Sequence, residues 1–406
     1  MNCIIAQSGG PTSVINSSLA GAIQAAIDND FDQIFLSLHG IEGIIKGEFL
    51  EVDKKKFRLN EAKDRLMARP SSILGSCRFK LPEDLKDETY NKIFTFLKEK
   101  DINVFVYIGG NDSMDTVKKL NTYILYNKIY GINVIGCPKT IDNDLNGMDH
   151  SPGFGSAAKY IAHTLRTIRA DVDVYDLESV TIVEIMGRHA GWLAASSLLA
   201  DYGYYKDLVN LVYVPEADKS LKDIENDVKN KLKEEKNIII AMAEGFRDSD
   251  CSLDKPMFTN TDDGFKHPVV SGFAKRLADY LRDKLKVKSR SVELNIVQRT
   301  STCISKTDSD EAFKLGYLAL KLGIDKSNLI PVLRRKEGKD YEVFYTEVEP
   351  DIIANKEMKI PKDWLKDENT LREKITAYAL PLIQGEVDQT YENGMPVFVE
   401  LSDFTK

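Results

Sequence analysis

Cysteine is scarce in this chain, and its few occurrences are widely spaced. The five cysteines are Cys3, Cys77, Cys137, Cys251 and Cys303, an odd number without a C-x-x-C pair. This spacing argues against a disulfide framework and against a zinc site built from cysteine pairs. We therefore expect a reducing environment, and the predicted location is the cytoplasm.

Long hydrophobic runs and an excess of basic residues are also missing. No apolar stretch approaches the ~20 residues of a membrane-spanning helix, and "MNCIIAQSGG" lacks the basic start of a secretory signal. Acidic side chains number 63 and basic ones 55, for a formal net charge of −8. Such a chain binds nucleic acid or anionic membranes poorly, so we expect neither partner. Any phosphate must meet a local basic cluster.

The order of apolar runs and turns predicts the fold class. The chain has 406 residues, more than one ordinary core, which predicts two domains. Uniformly apolar strands alternating with helical periods predict an α/β fold with mainly parallel sheets, covered on both faces. Residues 335–366 are charged and irregular and predict a surface excursion. The clearest predicted elements are the helices 12–27, 155–170 and "VVSGFAKRLADYLRDKL", and the late strand "SVELNIVQR".

Polar or glycine-rich segments follow six of the predicted strands. In open parallel sheets, ligands bind beyond the carboxyl ends of the strands. We therefore expect the functional residues in "SGG", "GGNDS", "PKTIDND", "MGRHAG", "AEGF" and "QRTST".

The first of these segments contains Gly9 and Gly10. Two glycines allow backbone N–H groups to approach a phosphate without an intervening Cβ. No Gly-Lys-Ser/Thr follows, and the spacing is not G-x-G-x-x-G, so neither common nucleotide motif applies. A tight strand-to-helix turn without a ligand is the alternative.

The segment "GGNDS" places Asn111 and Asp112 after a predicted strand. Carboxylate and amide oxygens are the ligands that Mg²⁺ prefers in proteins. Asn, Asp and Ser are also the favoured capping residues of helices, so a helix N-cap is an equal alternative.

The segment "PKTIDND" combines Lys139 with Asp142 and Asp144. A hydroxyl that attacks phosphorus needs a carboxylate to accept its proton, and the transferring oxygens need cations. These three residues supply both within six positions. The alternative is a loop in which Asn and Asp bond their own backbone.

The later segments offer ligands for a sugar phosphate. Arg188 in "MGRHAG" suits a phosphate, because a guanidinium binds two oxygens at once. Glu244 in "AEGF" can bond sugar hydroxyls or cap a turn. Arg290 and Arg299 bracket the last predicted strand, nine residues apart.

Taken together, these segments resemble the motifs of the 6-phosphofructokinases. "SGG", "LGSCRF", "GGNDS", "PKTIDND", "MGRHAG", "AEGF" and the late "QR" occur in that family's order over roughly residues 1–322. The combination is far more specific than any single motif. It is most similar to the pyrophosphate-dependent branch.

The resemblance implies a division of labour between two domains. It implies two Rossmann-like, doubly wound domains with mainly parallel sheets and the active site between them. Residues 1–153 plus about 300–350 would bind the phosphoryl donor, and 154–299 plus about 360–406 the sugar phosphate. A homo-oligomer is implied, with a dimer favoured.

Individual roles follow at the matching positions. Asp142 matches the acceptor of the sugar 1-hydroxyl proton, and Thr140 and Asp144 match neighbours that bind substrate and assist Mg²⁺. Asn111 stands where relatives often carry a metal-binding Asp, and Ile296 where they carry a His or Tyr facing the sugar phosphate. The remaining matches are Gly9, Gly10, Arg78 and Gly110 for the donor, and Met186, Gly187, Arg188, Glu244, Arg290 and Arg299 for the sugar phosphate.

Two positions distinguish the phosphoryl donor. ATP-using members of the family carry glycine where this chain has Asp112 and Lys139. A carboxylate at 112 would repel a nucleotide's α-phosphate by ~4 kcal/mol at ~4 Å and an effective dielectric of ~20. That is roughly a thousandfold in affinity. Lys139 would restore a cation beside the phosphate of a shorter donor.

The implied activity is pyrophosphate:fructose-6-phosphate 1-phosphotransferase with Mg²⁺, a reversible step of glycolysis. The same reaction with ATP is the first alternative. A non-catalytic regulator that binds sugar phosphates is the second, although the presence of Asp142 and Lys139 favours catalysis. Sedoheptulose 7-phosphate stays open as an acceptor.

Overall fold

Two compact units make up the chain in the computed structural model. The first comprises Met1–Ala157, Arg299–Glu357 and Pro381–Lys406, and the second Ala158–Gln298 and Met358–Leu380. The structure describes residues 1–59, 61–203, 206–250, 252–253, 272–338 and 340–406. Cys251 and the first residues of the predicted helix "VVSGFAKRLADYLRDKL" lie outside them. No helix among the described residues is long and apolar enough to span a membrane.

A five-stranded sheet forms the centre of the first unit, in the order β3-β2-β1-β4-β5. Four strands are parallel, and the short β3 joins the edge strand β2 in the antiparallel direction. The prediction of a mainly parallel sheet is therefore confirmed. The strands are β1 (Asn2–Gln7), β2 (Gln33–Ser37), β3 (Phe49–Glu51), β4 (Ile102–Gly109) and β5 (Asn133–Pro138).

Helices cover both faces of this sheet. In β1, Cys3 and Ile5 join one hydrophobic core, whereas Ile4 and Ala6 join another. All four are fully buried, because successive strand residues point to opposite faces and both faces are covered. The helices up to this sheet's last strand are α1 (Ile15–Asp28), α2 (Ile41–Lys46), α3 (Lys54–Leu59), α4 (Ala62–Met67), α5 (Glu88–Glu99) and α6 (Asn111–Tyr126).

The region 335–366 is largely exposed, as its charge suggested, but it is not irregular throughout. Residues Val343–Val348 pair with Ile330–Arg335 as an antiparallel hairpin, and Ile353 after them is fully buried in the first unit's core. Val343 and Val348 pack against that core, whereas Phe344 is exposed. The elements are α11 (Lys306–Ile324), β10 (Ile330–Arg335), β11 (Val343–Val348) and α12 (Pro350–Ile353).

The end of the chain belongs to the first unit, so the assignment of 360–406 to the sugar-phosphate domain is wrong for Pro381–Lys406. Val399 and Phe404 are fully buried in the first unit's core, and the Arg69 guanidinium donates to the Val399 carbonyl. The two-stranded ribbon of this tail is β12 (Tyr391–Glu392) and β13 (Met395–Pro396). No sequence motif marks the tail, because only isolated apolar residues such as Val399 and Phe404 pack into the core, and they form no recognisable pattern.

A four-stranded parallel sheet forms the centre of the second unit, in the order β7-β8-β6-β9. The last strand ends at Glu293, and Asn295–Arg299 form a 3₁₀ turn, so the predicted strand "SVELNIVQR" is too long. The strands are β6 (Ser179–Ile185), β7 (Leu211–Tyr213), β8 (Asn237–Ala243) and β9 (Lys288–Glu293). The remaining helices are α7 (Phe154–Val172), α8 (Trp192–Ser196), α9 (Leu221–Leu232), α10 (Phe273–Leu285) and α13 (Glu368–Ala379).

A buried ionic network ties the segment after β5 to α11. The His150 imidazole lies 2.7 Å from Asp149 Oδ2 and 2.7 Å from Glu311 Oε2, and Tyr341 donates to the other Glu311 oxygen. Arg335 approaches Asp149 at 3.1 Å. Burial alone would lower the pKa of His150, but the carboxylates of Glu311 and Asp149 raise it to about 9. The imidazole is therefore a buried cation at neutral pH.

We predict that this network makes stability fall in mildly alkaline solution. A raised pKa contributes stability that is complete below the unfolded value of about 6.5 and is lost as pH rises through about 9. For His150 the contribution is about 3 kcal/mol. The measurement is the free energy of unfolding from pH 6 to 10, for the wild type and His150→Gln.

The control for that series is His163→Gln, which removes an exposed imidazole from α7. The wild type and His163→Gln should lose stability together, whereas His150→Gln should be less stable at pH 6 and nearly flat above it. Equal slopes in all three proteins would contradict the charged state assigned to His150.

Candidate functional site

The first turn of α6 carries the "GGNDS" segment of the first unit. The helix begins at Asn111, and its N-cap is Gly110, which has no side chain to cap with. Asn111 and Asp112 are therefore the first two helical residues, and the N-cap interpretation of this segment is wrong. Backbone N–H groups at the start of a helix favour anions, so the turn can receive a phosphate.

Lys139 is a buried amine at the carboxyl end of β5. Its side chain is only 2% exposed, and its Nζ donates to the Gly10 carbonyl at 2.6 Å. Its own backbone N–H donates to the Gly109 carbonyl at 3.0 Å. These two bonds bring the ends of β1, β4 and β5 together, as expected for neighbouring parallel strands.

Charged groups of both signs act on the amine of Lys139 and shift its pKa in opposite directions. Burial is the largest effect and lowers the pKa of Lys139 to about 7, with Arg299 and Arg78 acting in the same direction. Asp142 and Asp144 oppose it and favour the ammonium form. Five predicted site residues are therefore electrostatically coupled within one unit, although they span positions 78 to 299.

Gly9 and Gly10 border this amine. Gly9 has φ +73°, and a Cβ there would lie 3.2 Å from Lys139 Nζ. A Cβ on Gly10 would lie 3.6 Å from an Arg299 nitrogen. The Gly9 N–H already donates to the Cys77 carbonyl, so Gly9 supplies space and turn shape. Arg299, matched to a sugar-phosphate ligand, lies on the donor side of the first unit.

The catalytic loop, residues 139–153, is shaped by its neutral polar residues. The Asp142 N–H donates to Thr140 Oγ1 at 3.2 Å, and the Ser151 N–H donates to Asn143 Oδ1 at 2.9 Å. Asn143 has φ +56°, a conformation that Asn tolerates well. The turn therefore rests on Thr140 and Asn143, whereas Asp142 and Asp144 stay half-buried beside Lys139.

Asp112 has a partner that the sequence did not reveal. Its carboxylate lies 3.2 Å from Lys80 Nζ, and the two side chains are 71% and 70% exposed. Exposed ion pairs contribute little stability, but Lys80 reduces the negative field of Asp112. The repulsion of a nucleotide is therefore smaller than an isolated carboxylate would give.

Both ends of the Asn111 carboxamide have partners within the chain, and the metal-ligand role that its position implied stays a prediction. Its Oδ1 accepts the Asn355 N–H at 2.5 Å, and its Nδ2 donates to the Lys356 carbonyl at 2.8 Å. Within the described residues, no group of three or more His, Cys, Asp or Glu could hold a metal ion. The pair Asp142 and Asp144 fits Mg²⁺ differently, since this ion often uses one or two carboxylates plus substrate phosphates.

In the second unit, the "MGRHAG" and "AEGF" turns lie side by side. The Glu244 N–H donates to the Ile185 carbonyl at 2.7 Å, and the Gly245 N–H to the Gly187 carbonyl at 3.1 Å. Arg188 Nε lies 3.5 Å from Glu244 Oε1. A Cβ on Gly245 would come within 1.9 Å of the Arg188 carbonyl, so only glycine permits this approach.

Two polar residues near this turn were missed from the sequence. Gln298 accepts the Met186 N–H at 3.2 Å and holds the turn. Glu184 is nearly buried on β6, and burial is the main cause that raises its pKa. Its carboxylate also accepts the N–H of Ala274, at the start of α10. The signal available in the sequence was Glu184, a charged residue inside the otherwise apolar strand β6.

Arg290 does not join the other sugar-phosphate candidates of the second unit. It pairs in register with Thr181 near the amino end of β6, whereas Met186 follows the carboxyl end. Its guanidinium bonds Thr181 and Asp171. Parallel strands keep their amino ends at one edge, so Arg290 lies at the opposite end of this sheet from Arg188. Its role in gripping the 6-phosphate stays a prediction.

Known proteins with similar sequences and structures share one family. The sequence profile described as Phosphofructokinase matches residues 2–322. The chain is 34% identical to pyrophosphate--fructose 6-phosphate 1-phosphotransferase of Halomonas elongata, covering 99% of this chain and 96% of that one. It is 32% identical to sulfofructose kinase of Alkalicoccus urumqiensis, covering 92% and 94%. A pyrophosphate-dependent phosphofructokinase structure from Nitrosospira multiformis matches with TM-score 0.85 and 28% identity, covering 100% and 97%.

We predict that Gly9→Ala disables the site without unfolding the protein. The left-handed backbone should cost about 1–2 kcal/mol, and the new methyl group should press on the Lys139 amine. Gly47→Ala is the matched control, because Gly47 has φ +74° but nothing within 4 Å of its Cβ position. The measurements are melting temperature and donor turnover. Equal loss of turnover in both variants would contradict this role for Gly9.

Proposed function

Because the chain belongs to the phosphofructokinase family, we propose that it transfers a phosphoryl group from pyrophosphate to the 1-hydroxyl of fructose 6-phosphate. The observation that carries the proposal is Lys139, a buried amine beside Gly10 and two carboxylates. A pocket that holds a desolvated cation suits a compact, highly charged donor. ATP is disfavoured, because Asp112 and Lys139 stand where ATP-using members have glycine.

The proposed reaction is an in-line displacement. Asp142 accepts the proton of the 1-hydroxyl as the new O–P bond forms. The bond from phosphorus to the bridging oxygen of pyrophosphate breaks, and inorganic phosphate leaves. Lys139 and Arg299 supply positive charge to the transferring oxygens. Run backwards, the same groups return a phosphoryl group to phosphate.

The acceptor is bound through residues of the second unit. Arg188 offers a guanidinium to the sugar phosphate, and Glu244 offers a carboxylate to sugar hydroxyls. Their contact at 3.5 Å keeps both side chains oriented before the substrate arrives.

A divalent metal would enter with the donor. Asp144, beside Lys139, fits Mg²⁺ as a hard oxygen ligand, and the remaining ligands would come from phosphates and water. When bound, the ion would neutralise charge on the donor oxygens. Asn111 is left out of this ligand set, because its carboxamide bonds Asn355 and Lys356.

A second acceptor is favoured by a specific finding. The relative named sulfofructose kinase covers 92% of this chain, and Ile296 replaces the His or Tyr that other members point at the sugar phosphate. A sulfo group carries one negative charge, whereas a phosphate carries about −1.5 to −2 at neutral pH. Losing one polar ligand would matter less for the weaker anion.

The experiment is a screen of donors against acceptors with purified protein. The donors are pyrophosphate, ATP and polyphosphate, and the acceptors are fructose 6-phosphate, sedoheptulose 7-phosphate and sulfofructose. Pyrophosphate with fructose 6-phosphate should give the highest kcat/KM. A preference for ATP would make ATP the donor in place of pyrophosphate. A preference for sulfofructose would make it the acceptor in place of fructose 6-phosphate. Binding without turnover of any pair would support the regulator instead.

We predict that Asp142→Asn lowers kcat by ~10²–10⁴, because proton transfer is lost while the shape stays. Binding of both substrates should change little, since Thr140 and Asn143 keep the turn. Asn143→Asp is a contrasting variant, because it adds a carboxylate to the loop but removes none. Turnover by Asp142→Asn near that of the wild type would exclude Asp142 as the base.

We predict that Asp112→Gly makes ATP a detectable but poor donor. The change removes a carboxylate and its volume, and the gain in kcat/KM for ATP should be roughly tenfold, because an exposed charge is screened. Asp112→Asn removes the charge and keeps the volume, so the two variants separate repulsion from crowding. Lys139→Gly should lower pyrophosphate turnover ~10²-fold without admitting ATP. ATP use by Lys139→Gly would contradict the claim that Asp112 excludes ATP even when Lys139 is absent.

A further inference from the structure

Residues 350–357, here called the strap, follow β11 and contact the start of α6. Asn111 meets the strap with both ends of its carboxamide. Its oxygen accepts the Asn355 N–H at 2.5 Å, and its nitrogen donates to the Lys356 carbonyl at 2.8 Å. The first helical residue after Gly110 is thus fastened to a segment about 240 positions later in the chain.

The other side of the strap contacts the catalytic loop. Leu145 and Glu357 form an isolated antiparallel bridge, and Asn146 Nδ2 donates to the Ile352 carbonyl at 2.9 Å. Gly147 has φ +85°, and a Cβ there would lie 2.5 Å from the Ile352 side chain. These three consecutive loop residues come directly after Asp144.

Two further contacts fix the strap along α6. Asn355 Nδ2 donates to Asp115 Oδ1 at 2.9 Å, and Lys118 Nζ pairs with Asp351 at 2.5 Å. Asn355 itself has φ +58°. The strap therefore runs beside the first two turns of α6 and ends at the catalytic loop.

We propose that Asn111 is a positioning residue that sets the donor site by fastening the strap to α6. An amide can donate and accept at the same time, which this clasp requires. A carboxylate can only accept, so Asp at 111 would face the Lys356 carbonyl without a proton to share. The strap then fixes where Asp112 and the catalytic loop lie relative to each other. The consequence for catalysis rests on the proposed function.

The test is hydrogen exchange on the full-length, metal-free and substrate-free protein. In Asn111→Asp, strap amides should exchange about tenfold faster, as expected for the loss of one hydrogen bond. The kcat/KM for pyrophosphate should fall by about the same factor, with the KM for fructose 6-phosphate unchanged. Should Asn111→Asp fail to fold, Asn111→Ala gives the same readout, since it removes both bonds without adding charge.

Asn127→Asp is the matched control at the opposite end of α6. Its amide also donates to a backbone carbonyl, that of Tyr123 at 3.1 Å, so the chemical change is the same. Strap exchange and donor kinetics should keep wild-type values in this variant. If the hydrogen exchange of the wild type and of Asn111→Asp is as expected but no donor is turned over, the proposed function is wrong. The structural role of Asn111 in fastening the strap would then still hold.

Either of two outcomes would overturn the inference. If Asn111→Asp leaves strap exchange unchanged and lowers the Mg²⁺ concentration for half-maximal activity, residue 111 is a metal ligand. A fall in donor kcat/KM in Asn127→Asp equal to that in Asn111→Asp would also overturn it. The effect would then follow from the charge of the helix and not from the clasp.

Discussion

The buried amine of Lys139 is the constraint on which the donor site depends. An ammonium taken out of water needs hydrogen bonds and opposite charges, or it loses its proton. The Gly10 carbonyl and the carboxylates of Asp142 and Asp144 supply them. Gly10 follows β1, whereas both aspartates follow β5, so the sheet has to bring these two carboxyl ends together before the ammonium ion is stabilised. The buried amine also explains the glycine at position 9, since a methyl group there would press against the Lys139 amine at 3.2 Å.

A cation held this way needs a loop that does not move. α11 fastens the far end of the catalytic loop with two carboxylates, Asp308 and Glu311, three residues apart. Asp308 accepts the N–H groups of Gly153 and Ser156, both at 2.8 Å, and Glu311 accepts from the His150 ring. Helix residues three apart lie on one face, so both carboxylates reach the same segment. The stability of the first unit and the placement of Asp142 therefore rest on the same helix.

The sequence was most informative where chemistry is local. Lys139 and Asp142 could be found because charged residues directly after an apolar strand are rare and must lie at the sheet's edge. The contacts of Asn111 could not be predicted, because its partners, at 355 and 356, lie in a region whose charge suggested loose surface chain.

Long-range contacts were the part that could not be predicted. One partner of His150, Asp149, is its neighbour, but Glu311 lies 161 positions away, and no periodicity links the two. Arg290 is different, because its distance from Arg188 within the sheet could have been predicted. A strand rises about 3.3 Å per residue, so an arginine near the start of a six-residue strand lies far from the edge where the strand ends.

The charges around Lys139 suggest a second role for the neutral residue at position 111, which concerns the net charge of the donor site. Three cationic side chains, Lys139, Arg78 and Arg299, act on one another there, with two carboxylates, Asp142 and Asp144. Residue 111 lies two positions after Gly109, whose carbonyl accepts the Lys139 N–H, so a carboxylate there would add negative charge near this cluster. The amide adds none and leaves the excess of positive charge in place. Asp112, the next residue, is held at 3.2 Å by Lys80, and its charge is partly cancelled. A compact donor, with all its negative charge at the point of transfer, gains most from such an excess. A nucleotide, whose charge extends past Asp112, gains less. The amide that fastens the strap thus also leaves the donor site with the balance of charge that pyrophosphate requires.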